Sequence, residues 1–218
     1  MPRGRYSLHD PHDRTPLGEE HFQCAPGPNG WRYVSRTTAP DDDTPRHAPD
    51  RGTLDLTLDA RGRPLRLELR TADWQVRAAA LDGVTWVRTP TAPGAPADTT
   101  EAHAPAHAFT GDSPSFLVAT ALLLRLRPGA PATRVRLVSF TQPSLAPRTV
   151  EQSWALVHRE AHATDNGPLT VDEYQVRALD TGEEHTVHLS GDVVLAAPGI
   201  ELEDLESPPS ALQDPDTA

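Results

Sequence analysis

Residues 109–126 read FTGDSPSFLVATALLLRL, and this stretch decides how the rest of the chain must fold. Elsewhere the apolar residues come singly or alternate with polar ones, whereas here they run almost without interruption. Ser113 and Pro114 have the form of a helix start, with Ser113 as the N-cap and Pro114 as the first helical residue. The alternative is a loop that leads into a strand buried on both faces, and periodicity does not separate the two structures for so short a run.

An apolar segment without a polar face needs cover on more than one side. The run is shorter than the roughly 20 apolar residues that cross a bilayer, and no Lys/Arg cluster flanks it to hold anionic lipid head groups. We therefore expect a buried segment that forms the inner wall of a strongly curved sheet. Leu122, Leu123 and Leu124 are expected to lie inside that wall.

The segments around the run show the period-2 alternation that is typical of half-buried strands. Two early segments each place three leucines on one face. These are Leu54, Leu56 and Leu58 in residues 53–59, and Leu65, Leu67 and Leu69 in residues 64–70. The linker ARGR and the pair Asp82-Gly83 predict short hairpin turns. About nine such segments predict a mainly β fold: a large curved antiparallel sheet that forms an open half-barrel or β-roll, with at most one or two short helices.

The length of 218 residues fits a single domain. Four stretches are rich in Pro, Asp or small residues, and we expect them to lack regular structure. Residues 1–18 and 208–218 are expected to be disordered tails, and residues 38–52 and 90–108 to be Pro-rich surface loops.

Charge and cysteine content exclude several classes of protein. The net charge is −11, there is no Lys, and the Arg residues do not cluster, so nucleic-acid binding is not expected. The first residues show no apolar signal segment, which favours a cytoplasmic protein. Cys24 is the single cysteine. An internal disulfide and a zinc site with several Cys ligands are therefore excluded.

Several of these segments together resemble a known bacterial family. They are GDSPSFLVATALLLRLRPG, the strand RVRLVSFTQPSLAP with Pro143 and Leu145, the strand EQSWALV with Gln152 and Trp154, the strand LTVDEYQV, and the paired early strands GTLDLTLDARGRPLRLELRTADWQVR. Over roughly residues 31–208 the chain resembles the bacterial glycolipid-binding family, whose fold is a spiral β-roll similar to the lipoprotein carriers of the cell envelope. The resemblance implies an open half-barrel that binds a glycolipid-like molecule. The chain departs from the family where Val118-Ala119 replaces a Thr-Asn pair and Leu124-Arg125 replaces an Arg-Arg pair.

The chain carries none of the common catalytic or metal motifs. His158 and His162 stand four residues apart in HREAH, but the Glu is misplaced for a zinc-protease helix. Ser113 and Ser153 lack the G-x-S-x-G elbow of hydrolases, and nothing near Cys24 in sequence supplies a base. We therefore expect no metal and no cofactor.

The tryptophans are the best indication of a binding site. Tryptophans on strands either pack in the core or line an apolar cavity, and such a cavity with a few polar anchors is the usual small-molecule site. The candidate ligand-binding residues are Trp74, Trp86, Arg125, Gln152 and Trp154.

We interpret the chain as a soluble binding protein for a hydrophobic or amphiphilic, glycolipid-like small molecule on the concave face of the half-barrel. One alternative is a cofactor-independent enzyme acting on a hydrophobic metabolite. Another is a protein-interaction module whose open sheet edge pairs with a partner, and a homodimer is left open. A large closed pocket that holds a His or an acid would favour the enzyme, and a pocket with only aromatics and one Arg would favour the binder. The absence of a pocket would favour the interaction module.

Overall fold

The computed structural model describes residues 1–27, 30–40, 50–92, 99–164 and 167–210. Alternating inward apolar and outward polar side chains form fifteen strands in this part of the chain, together with one helix, α1 (Ser115–Leu124). The strands are β1 (Arg3–His9), β2 (Pro16–Gly27), β3 (Gly30–Thr38), β4 (Asp50–Asp59), β5 (Pro64–Thr71), β6 (Trp74–Ala80), β7 (Val84–Pro90), β8 (Thr100–Ala104), β9 (Ala108–Gly111), β10 (Thr133–Thr141), β11 (Ala146–Thr164), β12 (Gly167–Ala178), β13 (Glu184–Ser190), β14 (Val193–Ala197) and β15 (Ile200–Leu205).

All fifteen strands belong to one sheet, in the order β8-β7-β6-β5-β4-β3-β2-β1-β15-β14-β13-β12-β11-β10-β9. Two meanders therefore meet where β1 pairs with β15, and β8 and β9 form the outer edges. The sheet is curled, and its two ends face each other. This is shown by the Trp86 ring of β7, which packs edge-on against the Phe140 ring of β10 with 6.0 Å between centroids. In the described residues no ladder joins β8 to β9. The predicted fold class, a mainly β open half-barrel with one short helix, is confirmed.

Large side chains fill the concave face of the sheet. Tyr6, Phe22 and Tyr33 stack on neighbouring strands, with ring centroids 4.7 and 5.5 Å apart. Trp31 continues the series at 5.5 Å from the Tyr33 ring. All four rings are buried. The concave face is therefore a packed core in this sector, and a binding site there has to lie elsewhere along the face.

The apolar run forms helix α1, which links the parallel strands β9 and β10. Of the two alternatives left open by the sequence, the helix is right. The predicted cap is displaced by one residue, because Pro114 occupies the N-cap position and Ser113 lies before it. Phe116 and Val118 are buried in the core. No helix in the described parts of the chain is long and apolar enough to cross a membrane.

The three leucines at the end of α1 are half-buried, which corrects the expectation that they lie fully inside the wall. The helix stops directly after them, where Arg125 adopts a left-handed conformation with φ of 47°. The last turn sits against the β4–β5 turn, since a Cβ on Gly62 would come within 2.4 Å of the Leu122 carbonyl oxygen. The segment is thus buried over its first two turns and emerges from the core at its C-terminal end.

Several stretches expected to be irregular contain strands. Residues 1–18 include β1 and the start of β2, and Tyr6 and Leu8 of β1 point inward although Arg3 and Arg5 precede them in the strand. Within 90–108, β8 is a short edge strand whose inward residues are alanines, too small to give a hydrophobic signal. Residues 41–49, 93–98 and 211–218 lie outside the described residues, so the loop and tail predictions there are not tested.

The predicted C-terminal tail begins as a packed segment. The Ser210 backbone N–H donates to the buried Asp192 carboxylate at 2.8 Å. Gly191 allows this approach, because a Cβ there would lie 2.1 Å from the Ser210 carbonyl oxygen. Residues up to Ser210 therefore cover the β13–β14 turn, and the expectation of disorder from residue 208 is wrong for these three residues.

The alternation in β5 is broken by a bulge, which corrects the predicted face of Leu65. Leu58 pairs with Pro64, and Thr57 pairs with Arg66, so Leu65 has no opposite residue. A bulge inserts one residue and shifts the inward positions by one. Pro64 consequently takes the inward position, and Leu65 is 39% exposed while Leu67 is fully buried.

Candidate functional site

A small, partly open cavity lies at the rim where β2 begins and β3, β5, β9 and β10 end. We call it the rim chamber. Its volume is about 20 Å³, which is room for one water molecule. It combines apolar walls with acid, hydroxyl and amide groups. The lining residues are Glu20, Thr37, Thr53, Leu54, Leu69, Arg70, Thr71, Asp112, Ser113, Phe116, Phe140, Gln142 and Leu145.

Glu20 is the buried acid of the rim chamber. It follows the inward alternation of Phe22 and Cys24 along β2, and its side chain is completely enclosed, with 1% exposure. Its Oε1 accepts hydrogen bonds from the Tyr33 hydroxyl and the Ser113 hydroxyl, each at 2.8 Å. Burial raises the pKa of Glu20 to about 6, although these hydrogen bonds to the charged form act in the opposite direction.

Asp112 supplies a second acid at the junction of β9 and α1. Its Oδ2 accepts the Gln142 backbone N–H at 2.7 Å. Burial raises the pKa of Asp112, and the charge of Arg51 opposes this shift. The charge of Asp112 also contributes to the raised pKa of Glu20, so the two carboxyl groups interact electrostatically across the chamber.

The start of α1 joins this network through two serines. The Ser113 and Ser115 hydroxyl oxygens lie 2.9 Å apart, and the Ser115 backbone N–H donates to the Ser113 hydroxyl at 3.3 Å. Ser115 is fully buried. The polar end of the chamber is therefore a continuous chain of hydroxyl and carboxyl groups that leads from Glu20 to the first turn of the helix.

The β10–β11 turn, residues 142–145, closes the chamber, and we call it the closing turn. Leu145 inserts its side chain with 1% exposure, from a left-handed backbone conformation with φ of 51°. The turn is tied to the other half of the sheet at two carbonyl groups. Thr71 Oγ1 donates to the Pro143 carbonyl at 3.0 Å, and Arg88 donates to the Ser144 carbonyl from Nε at 3.1 Å and from Nη2 at 2.8 Å.

Two of the five predicted ligand-binding residues lie beside the closing turn, although neither lines the chamber. The Arg88 guanidinium stacks on the half-buried Trp74 ring, with Cζ 3.1 Å from the ring centroid. Trp86 is buried and packs on Phe140, which is a wall of the chamber. The Trp86 indole nitrogen is buried and has no hydrogen-bond partner among the described residues.

The other three predicted residues lie away from the chamber. Arg125 is exposed at the end of α1, and its Nη2 donates to the Ala60 carbonyl of the β4–β5 turn at 2.6 Å. Trp154 is buried on β11, where its indole N–H donates to Gln152 Oε1 at 2.9 Å. Its ring packs edge-on against Tyr174 of β12. The structure therefore does not gather the five residues into one pocket, and their role in binding stays a prediction.

The sequence-based site missed Glu20 and Asp112. The alternation of Glu20, Phe22 and Cys24 was the available signal, since it places the acid on the apolar face of a strand. The predicted tail ends at residue 18 and the first predicted strand begins at residue 53, so no predicted strand contains this signal. Asp112 carries no local signal, because only the pairing of β9 with β10 brings it to the Gln142 backbone N–H.

A larger groove lies on the outer face across β1, β2 and β3. Its volume is about 520 Å³, and it is wide open to solvent. Its cations are matched by acids, with Arg5 2.7 Å from Glu19 and Arg3 3.8 Å from Glu206. Mixed charges of this kind are typical of a solvated sheet face, and their pairs contribute little.

The described residues offer no obvious metal or thiol chemistry. In them no group of three His, Cys, Asp or Glu side chains is placed to hold a metal ion. Burial, followed by the nearby Asp192 carboxylate, raises the pKa of the Cys24 thiol, so Cys24 stays protonated and is a poor nucleophile.

No protein-family model and no curated protein matches this chain. Several solved structures are similar to it, including the following two. A DUF1089 family protein from Pseudomonas aeruginosa is 17% identical, with a TM-score of 0.50 over 83% of this chain and 89% of that chain. A beta-barrel-like protein of the domain of unknown function DUF1849 from Brucella abortus is 14% identical, with a TM-score of 0.51 over 94% of this chain and 96% of that chain. At these identities the likeness shows the β-barrel-like fold alone.

Proposed function

We propose that this protein binds a small amphiphilic molecule whose polar head is uncharged and carries hydroxyl groups. The observation that carries the proposal is the rim chamber, where the buried Glu20 and the more exposed Asp112 face apolar walls. A concave site with apolar lining and a few convergent polar groups of perturbed pKa is the usual arrangement of a ligand site. In this proposal the ligand tail contacts Leu54, Leu69 and Phe116, and the head reaches Glu20 and Asp112.

The two acids select the charge of the head group. Glu20 and Asp112 outnumber the one cation among the described residues of the chamber lining, Arg70, and disfavour a phosphate, sulfate or carboxylate, because a further negative charge is repelled at short range. Hydroxyl groups are suitable partners, since a carboxylate accepts their hydrogen bonds and a protonated carboxyl group donates one. This chemistry is consistent with the glycolipid-like ligand that the sequence resemblance implies.

Entry of a ligand requires movement of the closing turn. A pocket for a small organic ligand usually measures about 300–1,000 Å³, whereas the chamber measures about 20 Å³ with Leu145 in place. The closing turn is held to the opposite half of the sheet by hydrogen bonds to two of its carbonyl groups. Displacing Leu145 therefore opens the chamber without breaking a strand ladder.

The similar structures support this proposal only through their fold, since the mouths of β-barrels are common ligand sites. The cytoplasmic location, the small-molecule partner and its glycolipid character stay predictions.

The test compares two detergents with the same alkyl chain, octyl glucoside and octyl phosphate, below their micelle concentrations, by calorimetry and native mass spectrometry. We expect saturable binding of the glucoside and little binding of the phosphate. Leu145→Ala, which enlarges the chamber, should tighten glucoside binding, whereas Leu81→Ala, at a turn position that is 74% exposed, should not. Equal binding of both detergents, or no effect of Leu145→Ala, would contradict the proposal.

The electrostatic selection has its own variant. Replacing both acids, Glu20→Gln with Asp112→Asn, keeps the shape of the chamber and removes its negative charge. We expect this variant to gain octyl phosphate binding relative to octyl glucoside. An unchanged preference would show that the head group does not reach the acids.

A second function is favoured by one specific observation, the pKa of Glu20. A carboxyl group with a pKa of about 6 exchanges a proton readily near neutral pH, as a general acid–base catalyst must. The protein would then be an enzyme that needs no cofactor and acts on a hydrophobic metabolite in the same chamber. Incubation with host lipid extract, followed by mass spectrometry, distinguishes the two: a binding protein returns its ligand unchanged, and an enzyme converts it in a reaction that Glu20→Gln abolishes.

A further inference from the structure

The distal half of the β11–β12 hairpin projects beyond the sheet. β10 pairs with β11 only as far as Trp154, and β13 pairs with β12 only as far as Asp172. Five residue pairs continue past these limits, from Glu160 opposite Val171 to Thr164 opposite Gly167. We call this two-stranded extension, residues 160–164 and 167–171, the arm.

The arm is long for a ribbon without neighbours. A two-stranded hairpin alone is at best marginally stable in water, and every β11 residue from Val157 to Thr164 is exposed. A bidentate ion pair at its base, from Arg159 to Asp172 at 2.6 and 2.9 Å, joins the two strands where they leave the sheet. A strand pair with unpaired backbone edges is suited to pairing with another strand.

The two edges of the arm differ. On the β12 edge Pro168 has no N–H to donate, which blunts that edge against pairing. On the β11 edge, residues 157–164 contain no proline. On the side of β11 that faces away from β12, no described strand pairs with them. The β11 edge is therefore the one that accepts a further strand.

We propose that a second copy of this chain pairs with the β11 edge, antiparallel, with Ala161 on the two-fold axis. A two-fold axis perpendicular to the sheet can relate two antiparallel strands that pair with each other. The residue on the axis then lies opposite the same residue of the partner. With Ala161 at the centre, Glu160 lies opposite the partner's His162, and His162 lies opposite the partner's Glu160. The sequence of the edge is thus complementary to itself.

The neighbouring registers are less favourable. Centring on Arg159 or Glu160 places two like charges directly opposite each other, which destabilises a strand pair. Centring on His162 places Glu160 opposite Thr164 and so loses the pairing of carboxylate with imidazole. Within one chain, Glu160 Oε2 and His162 Nε2 are already 3.9 Å apart, so both groups lie on one side of the strand. Both are well exposed, at 75% and 51%. The dimer brings four such groups together, and imidazole N–H groups donate to the carboxylates in either protonation state.

The contact is small because it involves one strand edge from each copy. Interfaces of this size belong to weak, reversible associations. We therefore expect a monomer–dimer equilibrium that shifts with protein concentration.

Cysteine cross-linking tests both the contact and its register. Directly opposite residues in antiparallel strands have Cα atoms about 4.5–5.5 Å apart, which a disulfide can bridge. Ala161→Cys should therefore give a covalent dimer under mild oxidation. The matched control is Thr170→Cys, which lies beside Ala161 on the other strand of the arm. It would be roughly 14 Å from its copy, three strand spacings away, and should not cross-link.

Sedimentation of the protein with its native sequence gives the second measurement. We expect self-association that Glu160→Lys weakens, because it places two lysines opposite the partner's imidazoles and removes both carboxylates. Glu183→Lys makes the same charge change away from the arm and should leave association unchanged. The proposal is overturned if the protein sediments as a monomer at every concentration, or if Thr170→Cys cross-links as fast as Ala161→Cys.

Discussion

Replacing Glu20 by Gln should change how the stability of this protein depends on pH. The pKa of Glu20 is about 6 in the folded protein, against an ordinary value of 4.5. Folding therefore increases its affinity for a proton. Below pH 4.5 the carboxyl group is neutral in both states and adds no penalty. As the pH rises through 6 the folded state must hold a buried charge, so stability falls and then levels off.

The size of the effect follows from the difference of about 1.5 pH units between these pKa values. At 1.36 kcal/mol per unit this corresponds to about 2 kcal/mol. Glu20 is completely buried, so solvent does not screen the effect. The glutamine of the variant keeps a carbonyl oxygen for the hydroxyl groups of Tyr33 and Ser113 but carries no charge at any pH. We expect the variant to gain about 2 kcal/mol relative to the native sequence between pH 4.5 and pH 7.

The assay is urea unfolding at a series of pH values, with the free energy of unfolding of the variant compared with that of the native sequence. Subtracting the two curves removes the contribution of the carboxyl and imidazole groups that do not interact with Glu20; Asp112 does interact with it and contributes a smaller share of the difference. Glu183→Gln, at an exposed position, is the control and should give a flat difference. A flat difference for Glu20→Gln as well would refute the burial of a titrating acid in the rim chamber.

Three further predictions concern the helix and the closing turn. Gly62→Ala should destabilise the protein more than Gly129→Ala in denaturant unfolding. Both glycines have a φ between 75° and 78°, so the backbone strain of an alanine is similar at the two positions. At Gly62 the added Cβ would also meet the Leu122 carbonyl oxygen, whereas at Gly129 it would meet no atom within 4 Å. Arg88→Ala should speed backbone hydrogen exchange in the closing turn, while Arg77→Ala on the neighbouring strand should not, because Arg88 donates to the Ser144 carbonyl of the turn whereas Arg77 pairs with Glu68. Phe116→Ala should cost about 3–5 kcal/mol of unfolding free energy, since the ring is buried in the core; a loss under about 1 kcal/mol would place it at the surface.

The sheet was largely predictable because its signals are local. Leu54, Leu56 and Leu58 alternate along β4 and are all buried, as the period-2 pattern indicates. The period-2 pattern predicted the wrong face for Leu65. The bulge at this residue turns its side chain outward, and the sequence carries no sign of the bulge. The pattern also failed where the inward side chains are small or interspersed with charges, as in β8 and β1.

The candidate site was not predictable in the same way. Glu20 and Ser113 are 93 residues apart in sequence and meet only because α1 begins beside β2 in the folded sheet. The tryptophans that suggested a site mostly fill the core, because an indole ring is an efficient packing group as well as a ligand contact. Chemistry that depends on a contact between distant strands leaves no spacing for sequence reasoning to detect.

The strand order has a consequence for the way the chain folds. Within each meander every antiparallel ladder joins strands that follow one another in sequence, so each ladder closes a short loop. The β1–β15 ladder, which pairs Gly4 with Leu205, closes a loop that contains nearly the whole chain. Loop closure becomes more costly with length, so this seam is expected to form late, after both meanders have largely assembled. Weakening the seam should then accelerate unfolding while leaving the folding rate almost unchanged.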